Sequence, residues 1–153
     1  MRPAIVLYQP EIPGNTGTIG RTCVALDIDL CLIRPYGFDL TDKSVRRAGL
    51  DYWAHVTLHE FDDWADFLRR RAPDPQALYY LEEFGTQTVF EPDYPPDVHL
   101  VFGRETTGLP PEILRGQEGR TLRLPMRSGH IRSLNLANAA TAAIYQALRP
   151  SLS

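Results

Sequence analysis

Ala4-Ile-Val-Leu-Tyr8, followed by Gln9-Pro-Glu-Ile-Pro-Gly14-Asn15-Thr16-Gly17-Thr-Ile-Gly20-Arg21 and then Thr22-Cys-Val-Ala-Leu26, reads as a strand, a glycine-rich turn and a helix in direct succession. The first run is continuously apolar rather than alternating, as expected of a strand covered on both faces in a parallel sheet. Ile19, Cys23 and Leu26 fall at helical spacing and predict a helix over residues 16–26. Similar apolar runs recur at residues 30–33, 55–58, 78–81, 99–102 and 121–124. A second helix is predicted over 61–71, with Phe61, Trp64, Ala65 and Leu68 on one face. Strands alternating with helices predict an α/β fold: an open, mostly parallel sheet with helices on both faces. Residues 82–97, with Gly85, Pro92, Pro95 and Pro96, read as a long loop. The last helix is expected to be capped by Ser133 and stopped by Pro150. It is apolar around its circumference and rich in alanine, so either it is central to the core or one face packs on a second subunit.

The chain has 153 residues, read as one domain spanning 1–153. With 43% hydrophobic and 23% charged residues it is not disordered or fibrous. A net charge of −3 excludes a generic polyanion binder, so any nucleic-acid contact must use a local patch. Such a patch is present in residues 104–132, which hold six arginines against Glu105, Glu112 and Glu118. Cys23 and Cys31 cannot build a disulfide framework or a four-ligand zinc site and read as buried thiols. His55, His59, His99 and His130 lack metal-ligand spacing, so no metal is expected. The first apolar run is too short for an export signal or a membrane span, which predicts a soluble, cytoplasmic protein.

Three strand-to-helix junctions carry chemistry. The turn after the first strand offers free backbone N–H groups, a ready site for an anion or polar ligand. Its G-x-x-G-x-x-G spacing is not the dinucleotide fingerprint, although Arg34 at the end of the second strand could suit NADP. The bland reading is a tight turn with close helix packing. The second junction is Phe102-Gly103-Arg104-Glu105-Thr106-Thr107-Gly108-Leu109-Pro110-Pro111. Here Gly103 would let a ligand approach the backbone and Glu105 would place a carboxylate beside it. The bland reading is a turn into a proline-initiated helix. The third is Leu122-Arg-Leu-Pro-Met126-Arg127-Ser128-Gly129-His130-Ile131-Arg132-Ser133-Leu134-Asn135-Leu136-Ala137-Asn138. Asparagines at a helix start suggest a hydrogen-bonding duty, against a null of capping beside a solvated basic loop. Lys43, Arg46 and Arg47 are spaced for one helical face and could hold RNA phosphates. Arg69-Arg70-Arg71 closes a helix that opens with acids, which reads as a solvated end.

Together these junctions resemble the SPOUT class of S-adenosylmethionine-dependent RNA methyltransferases. The matching positions are Asn15, Gly17 and Arg21, then Phe102, Gly103, Glu105, Gly108 and Leu109, then Leu124 to Ala139. The opening IVLYQPEIPGNTG and residues 42–52 look closest to the minimal tRNA wobble-nucleotide 2′-O-methyltransferases. The resemblance implies a deep C-terminal trefoil knot, a homodimer with a site at the subunit interface, and methyl transfer from S-adenosylmethionine to a tRNA ribose 2′-hydroxyl. Similarity points to the wobble ribose of leucine tRNAs. It further implies a reacting centre of Arg21, Asn15, Glu105, Ser133 and Asn135, and a cofactor held by Leu81, Gly103, Leu124, Met126 and Ser133. RNA would be held by Lys43, Arg46, Arg47, Arg127 and Arg132, with no membrane partner. The alternatives are 2′-O-methylation of another tRNA or ribosomal RNA nucleotide, a silent RNA-binding dimer of the same fold, and an NADP-dependent reductase using the first turn.

Overall fold

The structure, a computed structural model, describes residues 1–41, Lys43, Val45 and 52–153. Seven parallel strands form one sheet: β1 (Ala4–Tyr8), β2 (Asp29–Ile33), β3 (Thr57–Phe61), β4 (Leu78–Leu81), β5 (Gln87–Thr88), β6 (His99–Phe102) and β7 (Thr121–Arg123). Their spatial order is β3-β2-β1-β6-β4-β7-β5. The chain thus builds outward from β1 to β3, then crosses to the other side of β1 and fills that half, creating a switch point beside β1.

Side-chain alternation along the strands divides the core. Ile5, Leu7, Leu30, Leu32, Leu100 and Phe102 face α1 (Pro13–Leu26) and the C-terminal helix. Ala4, Val6, Cys31, Ile33 and Val101 face the other way, against Phe67 of α2 (Trp64–Arg70) and Ile113 of α3 (Pro111–Leu114). The expected helices on both faces of a parallel sheet are therefore present. Cys23 and Cys31 are buried, and burial pushes the Cys31 thiol up to about 12.

Several boundaries differ from expectation for identifiable reasons. Phe61 ends β3 and does not open α2, because Asp63 caps the helix by accepting the Asp66 N–H at 2.7 Å. The Asp66 carboxylate reciprocates by accepting the Asp62 N–H at 2.9 Å. Helical phase then turns Phe67 into the core beside half-buried Trp64 and leaves Ala65 and Leu68 exposed, so only part of the expected face is covered. His55 belongs to a short 3₁₀ turn, and β3 starts at Thr57. The loop expected over 82–97 contains the two-residue strand β5, paired with β7.

The C-terminal helix α4 (Leu136–Leu152) begins after Asn135, which caps it, while Ser133 lies outside it. Asn135 Oδ1 accepts the Ala137 and Asn138 N–H groups at 2.9 and 3.3 Å. Pro150 lies inside the helix and does not stop it. A proline so near the end removes a single backbone bond, and the hydroxyls of Ser151 and Ser153 satisfy the Leu148 and Arg149 carbonyls. The helix is also one-sided: Ala137, Ala140, Ala143, Ile144, Ala147 and Leu148 are buried, whereas Asn138, Ala142, Tyr145 and Arg149 are exposed. Small side chains on the buried face bring α4 against α1, where the Thr22 and Thr141 hydroxyls meet at 2.8 Å.

The Arg69–Arg71 triplet is only partly the solvated end expected. Arg69 and Arg70 return to Asp66 at 2.7 and 2.8 Å. Arg71 instead turns inward, its side chain 8% exposed. It donates to Asp29 Oδ2 at 2.7 Å, to His99 Nε2 at 3.0 Å and to the Arg2 carbonyl at 3.0 Å. Arg2 Nε also lies 2.9 Å from Asp29 Oδ1, an ion contact off the hydrogen-bond direction.

This network dictates the His99 tautomer. Nδ1 faces the Asp97 carbonyl at 2.7 Å and must donate, which leaves Nε2 to accept from Arg71. Burial, aided by the Arg71 charge, pulls the imidazole below its ordinary pKa of 6.5. The unfolded chain then takes up the proton first, so this contribution to stability is complete above about pH 6.5 and lost as pH falls toward the folded-state value. Urea midpoints should therefore decrease between pH 7.5 and 5.5, and His99→Gln should flatten that slope. An unchanged slope would remove His99 from the account.

Candidate functional site

The carboxyl ends of β6, β4 and β7 open into a cleft of about 580 Å³, closed on one side by the starts of α1 and α4. This is where a parallel α/β sheet places its ligands, beyond the strand ends near the switch point. Leu81, Leu122, Leu124, Leu136 and Met126 supply apolar wall, and Glu82, Glu105, Ser133 and Asn135 supply polar groups. A few polar groups on an apolar wall suit a small organic ligand.

Two of the three junctions are locked together by exchanged carboxylates. Glu105 accepts the Glu11 N–H at 3.0 Å and the Ile12 N–H at 2.7 Å, and Asn15 Nδ2 at 3.3 Å. Glu11 in turn accepts the Thr106 N–H and hydroxyl, at 3.0 and 2.9 Å, and these bonds hold its carboxyl below the usual range. Asn135 Nδ2 donates to Asn15 Oδ1 at 3.1 Å and ties in the start of α4. Asn15, Glu105 and Asn135, far apart in the chain, thus form one continuous network at the cleft wall. Both Glu105 oxygens and both ends of the Asn135 amide are occupied, so the network holds loops in place.

The same bonds revise the anion site expected in the first turn, because its leading amides already hold the Glu105 carboxylate. Arg34 is likewise committed, to Glu60 at 3.0 Å and Asp62 at 3.2 Å, so the NADP reading loses both of its supports. The fold itself requires glycine at position 103. A Cβ there would come 2.2 Å from the Gly108 carbonyl carbon, because the 104–108 turn doubles back on it with Gly108 at φ +72°.

All five residues expected to hold a cofactor, Leu81, Gly103, Leu124, Met126 and Ser133, line this one cleft. Arg132, expected at RNA, lines it too, and Arg127 is exposed on the adjoining loop. Arg21 is not among the lining residues. It is exposed on α1, its guanidinium stacked on Tyr52 at 4.9 Å and donating to the Tyr52 hydroxyl at 3.4 Å. Lys43 is exposed, whereas Arg46 and Arg47 lie outside the described residues. The arginine patch is thinner than its count. Arg104 reaches Gln9 and the Tyr8 ring, Arg120 the Leu78 carbonyl at 2.8 Å, and Arg123 the Gly85 carbonyl at 2.9 Å.

Glu82 and Phe84 were not singled out in the sequence, since the loop containing them carries no motif. Glu82 accepts the Leu109 N–H at 2.7 Å through Oε1, and burial pushes its carboxyl above the ordinary range against that bond. Among the described residues no cluster of His, Cys, Asp or Glu could hold a metal ion, and no helix is long and apolar enough to cross a membrane.

A seven-stranded parallel sheet with a candidate ligand cleft beyond its strand ends defines an open α/β protein. The SpoU rRNA methylase family profile matches residues 2–145, and the chain belongs to that family of methyltransferases. It is 49% identical to a Listeria innocua protein provisionally named a tRNA (cytidine(34)-2′-O)-methyltransferase, over 95% of this chain and 86% of that one. To the tRNA (cytidine(34)-2′-O)-methyltransferase of Saccharophagus degradans it is 45% identical, over 95% and 93%. A solved structure described as "Structural insights into the 2-OH methylation of C/U34 on tRNA" superposes with a TM-score of 0.87 at 42% identity, covering 97% of this chain and 95% of that one. The methyltransferase AviRb of Streptomyces viridochromogenes, solved with AdoMet, gives a TM-score of 0.84 at 29% identity, over 99% of this chain and 61% of that one.

Proposed function

We propose that the protein transfers a methyl group from S-adenosylmethionine to the ribose 2′-hydroxyl of tRNA nucleotide 34, in leucine tRNAs, as a cytoplasmic homodimer. The observation that carries this reading is the cleft at the strand ends, lined by Leu81, Gly103, Leu124, Met126 and Ser133 and walled by the Asn15–Glu105–Asn135 network. Aliphatic walls suit an adenine ring, and Glu82 keeps one carboxylate oxygen for a ribose hydroxyl, so the residues fit the cofactor. When bound, S-adenosylmethionine supplies a methyl already activated on a sulfonium. The chain's own residues then position and orient. Leu81, Leu124 and Met126 enclose the nucleoside, and Gly103 and Ser133 present polar groups to it. The Asn15–Glu105–Asn135 network fixes the walls against which the target ribose lies.

Arg21 stands apart from that network in its own chain, and a second subunit brings it to the reacting centre. Its guanidinium grips the phosphate next to the target ribose. The exposed face of α4, with Tyr145 at its middle, is the surface we assign to subunit pairing, and the C-terminal segment is assigned a deep trefoil knot, supported by the likeness to SpoU-family structures. Lys43, Arg46, Arg47, Arg127 and Arg132 are assigned to RNA phosphates. Residues 1–153 act as one catalytic domain.

The test is transfer of labelled methyl to leucine tRNA transcripts by purified protein. Label should enter wild-type transcript and be lost when nucleotide 34 carries a 2′-deoxyribose. Label retained on that transcript would move the target elsewhere, and no label on any RNA would leave a silent binder.

A further inference from the structure

The turn between β4 and β5, Glu82-Glu83-Phe84-Gly85, is pinned at both ends to β7. Glu82 N–H donates to the Leu122 carbonyl at 2.9 Å, and the Gly85 carbonyl accepts Arg123 Nη1 at 2.9 Å. A Cβ on Gly85 would come 2.5 Å from the Leu122 carbonyl carbon, so only glycine lets the turn sit this close. Phe84 is held at the tip, 67% exposed yet lining the cleft. A large aromatic kept in water on a rigid turn beside a ligand cleft offers one thing, a flat face for another π system. Its immediate neighbours in the cleft lining, Glu82 and Glu83, are carboxylates, and among the described residues neither pairs with a cation. Glu82 spends Oε1 on the Leu109 N–H, and among the described residues Oε2 has no donor. Two negative groups beside a stacking face repel a phosphorylated nucleotide or an RNA backbone and accept a nucleoside that carries hydroxyls and a positive charge.

We propose that this turn is a nucleoside clamp: Phe84 stacks on the adenine ring of S-adenosylmethionine, and Glu82 and Glu83 reject phosphate-bearing adenine nucleotides. The proposal rests on the cofactor assignment made above. Within it, the clamp sets specificity at the cofactor end of the cleft.

The test is calorimetric titration of the full-length protein with S-adenosylhomocysteine and with AMP, alongside tRNA binding and a melting temperature. Phe84→Ala should weaken S-adenosylhomocysteine binding by roughly ten-fold, with the melting temperature and tRNA affinity at wild-type values. Phe84→Trp should restore the affinity. Wild-type protein should show no AMP binding, and the double variant Glu82→Gln, Glu83→Gln should gain it. A glutamine at 82 still accepts the Leu109 N–H, so the fold is kept. Phe84→Ala binding S-adenosylhomocysteine as tightly as wild type would overturn the stacking, as would a loss confined to tRNA. A double variant that excludes AMP as firmly as wild type would overturn the electrostatic filter. Failure of the wild-type protein itself to bind S-adenosylhomocysteine would instead remove the cofactor assignment beneath it.

Discussion

Arg21→Ala is expected to reduce methyl transfer by about a hundred-fold while S-adenosylhomocysteine binds as tightly as to wild type. The expectation comes from where α1 carries its two polar landmarks. Asn15 sits in the first turns, bonded to Glu105 and Asn135 at the cleft wall. Arg21 follows six residues later, roughly 9 Å further along the helix axis, exposed and stacked on Tyr52. It is not among the residues that line the cleft in its own chain, so its removal leaves that lining as it is. The rate loss arises because a guanidinium gripping the target phosphate fixes the ribose in line with the methyl. Arg21→Lys should recover only part of it, since a point charge lacks the planar fork. Rate and cofactor affinity falling in parallel would place Arg21 in the cofactor site.

The largest effect on stability is expected from Arg71→Ala, about 3 kcal/mol, against a change within about 0.5 kcal/mol for Arg69→Ala. The two arginines are two positions apart. Arg69 has a side chain 72% exposed and a single carboxylate partner. Arg71 is 8% exposed, and its Asp29 partner only 6%. Taking Arg71 away strands a buried carboxylate with the more exposed Arg2 and His59 for company. It also leaves His99 Nε2 without a donor. At this chain length such a loss lowers the melting temperature by about 9 °C. Equal melting temperatures for the two variants would show that the cluster at the amino-terminal end of the sheet adds nothing to stability.

What was legible in the sequence follows from which signals are local. Continuous apolar runs such as Ala4–Tyr8 and His99–Phe102 announced buried parallel strands, because burial on both faces removes alternation. The three junction motifs marked the cleft, because the ends of β1, β6 and β7 bring them together. The failures are equally physical. The α2 face is legible only in part: Phe61 and Trp64 meet the core, but the Asp63 cap starts the helix later and its phase turns Ala65 and Leu68 outward. Arg71 looked like its two neighbours, since nothing local tells that Asp29 and His99, each at the start of a strand, converge on it. Glu82 and Phe84 carried no signal because their place in the cleft is set by β4–β7 pairing, a long-range fact. The Glu105 carboxylate, expected beside a pocket, lies in the lining of the candidate cleft. That it would fill the amide cradle of the first turn required the spatial adjacency of β1 and β6.

The most direct test of the central claim is a map of 2′-O-methyl marks in total RNA from cells with and without this protein. The account predicts that deletion removes the mark at nucleotide 34 of leucine tRNAs, and that it returns with wild-type protein but not with Arg21→Ala. A full set of marks at position 34 in the deletion strain, or a mark lost from ribosomal RNA in its place, would contradict it.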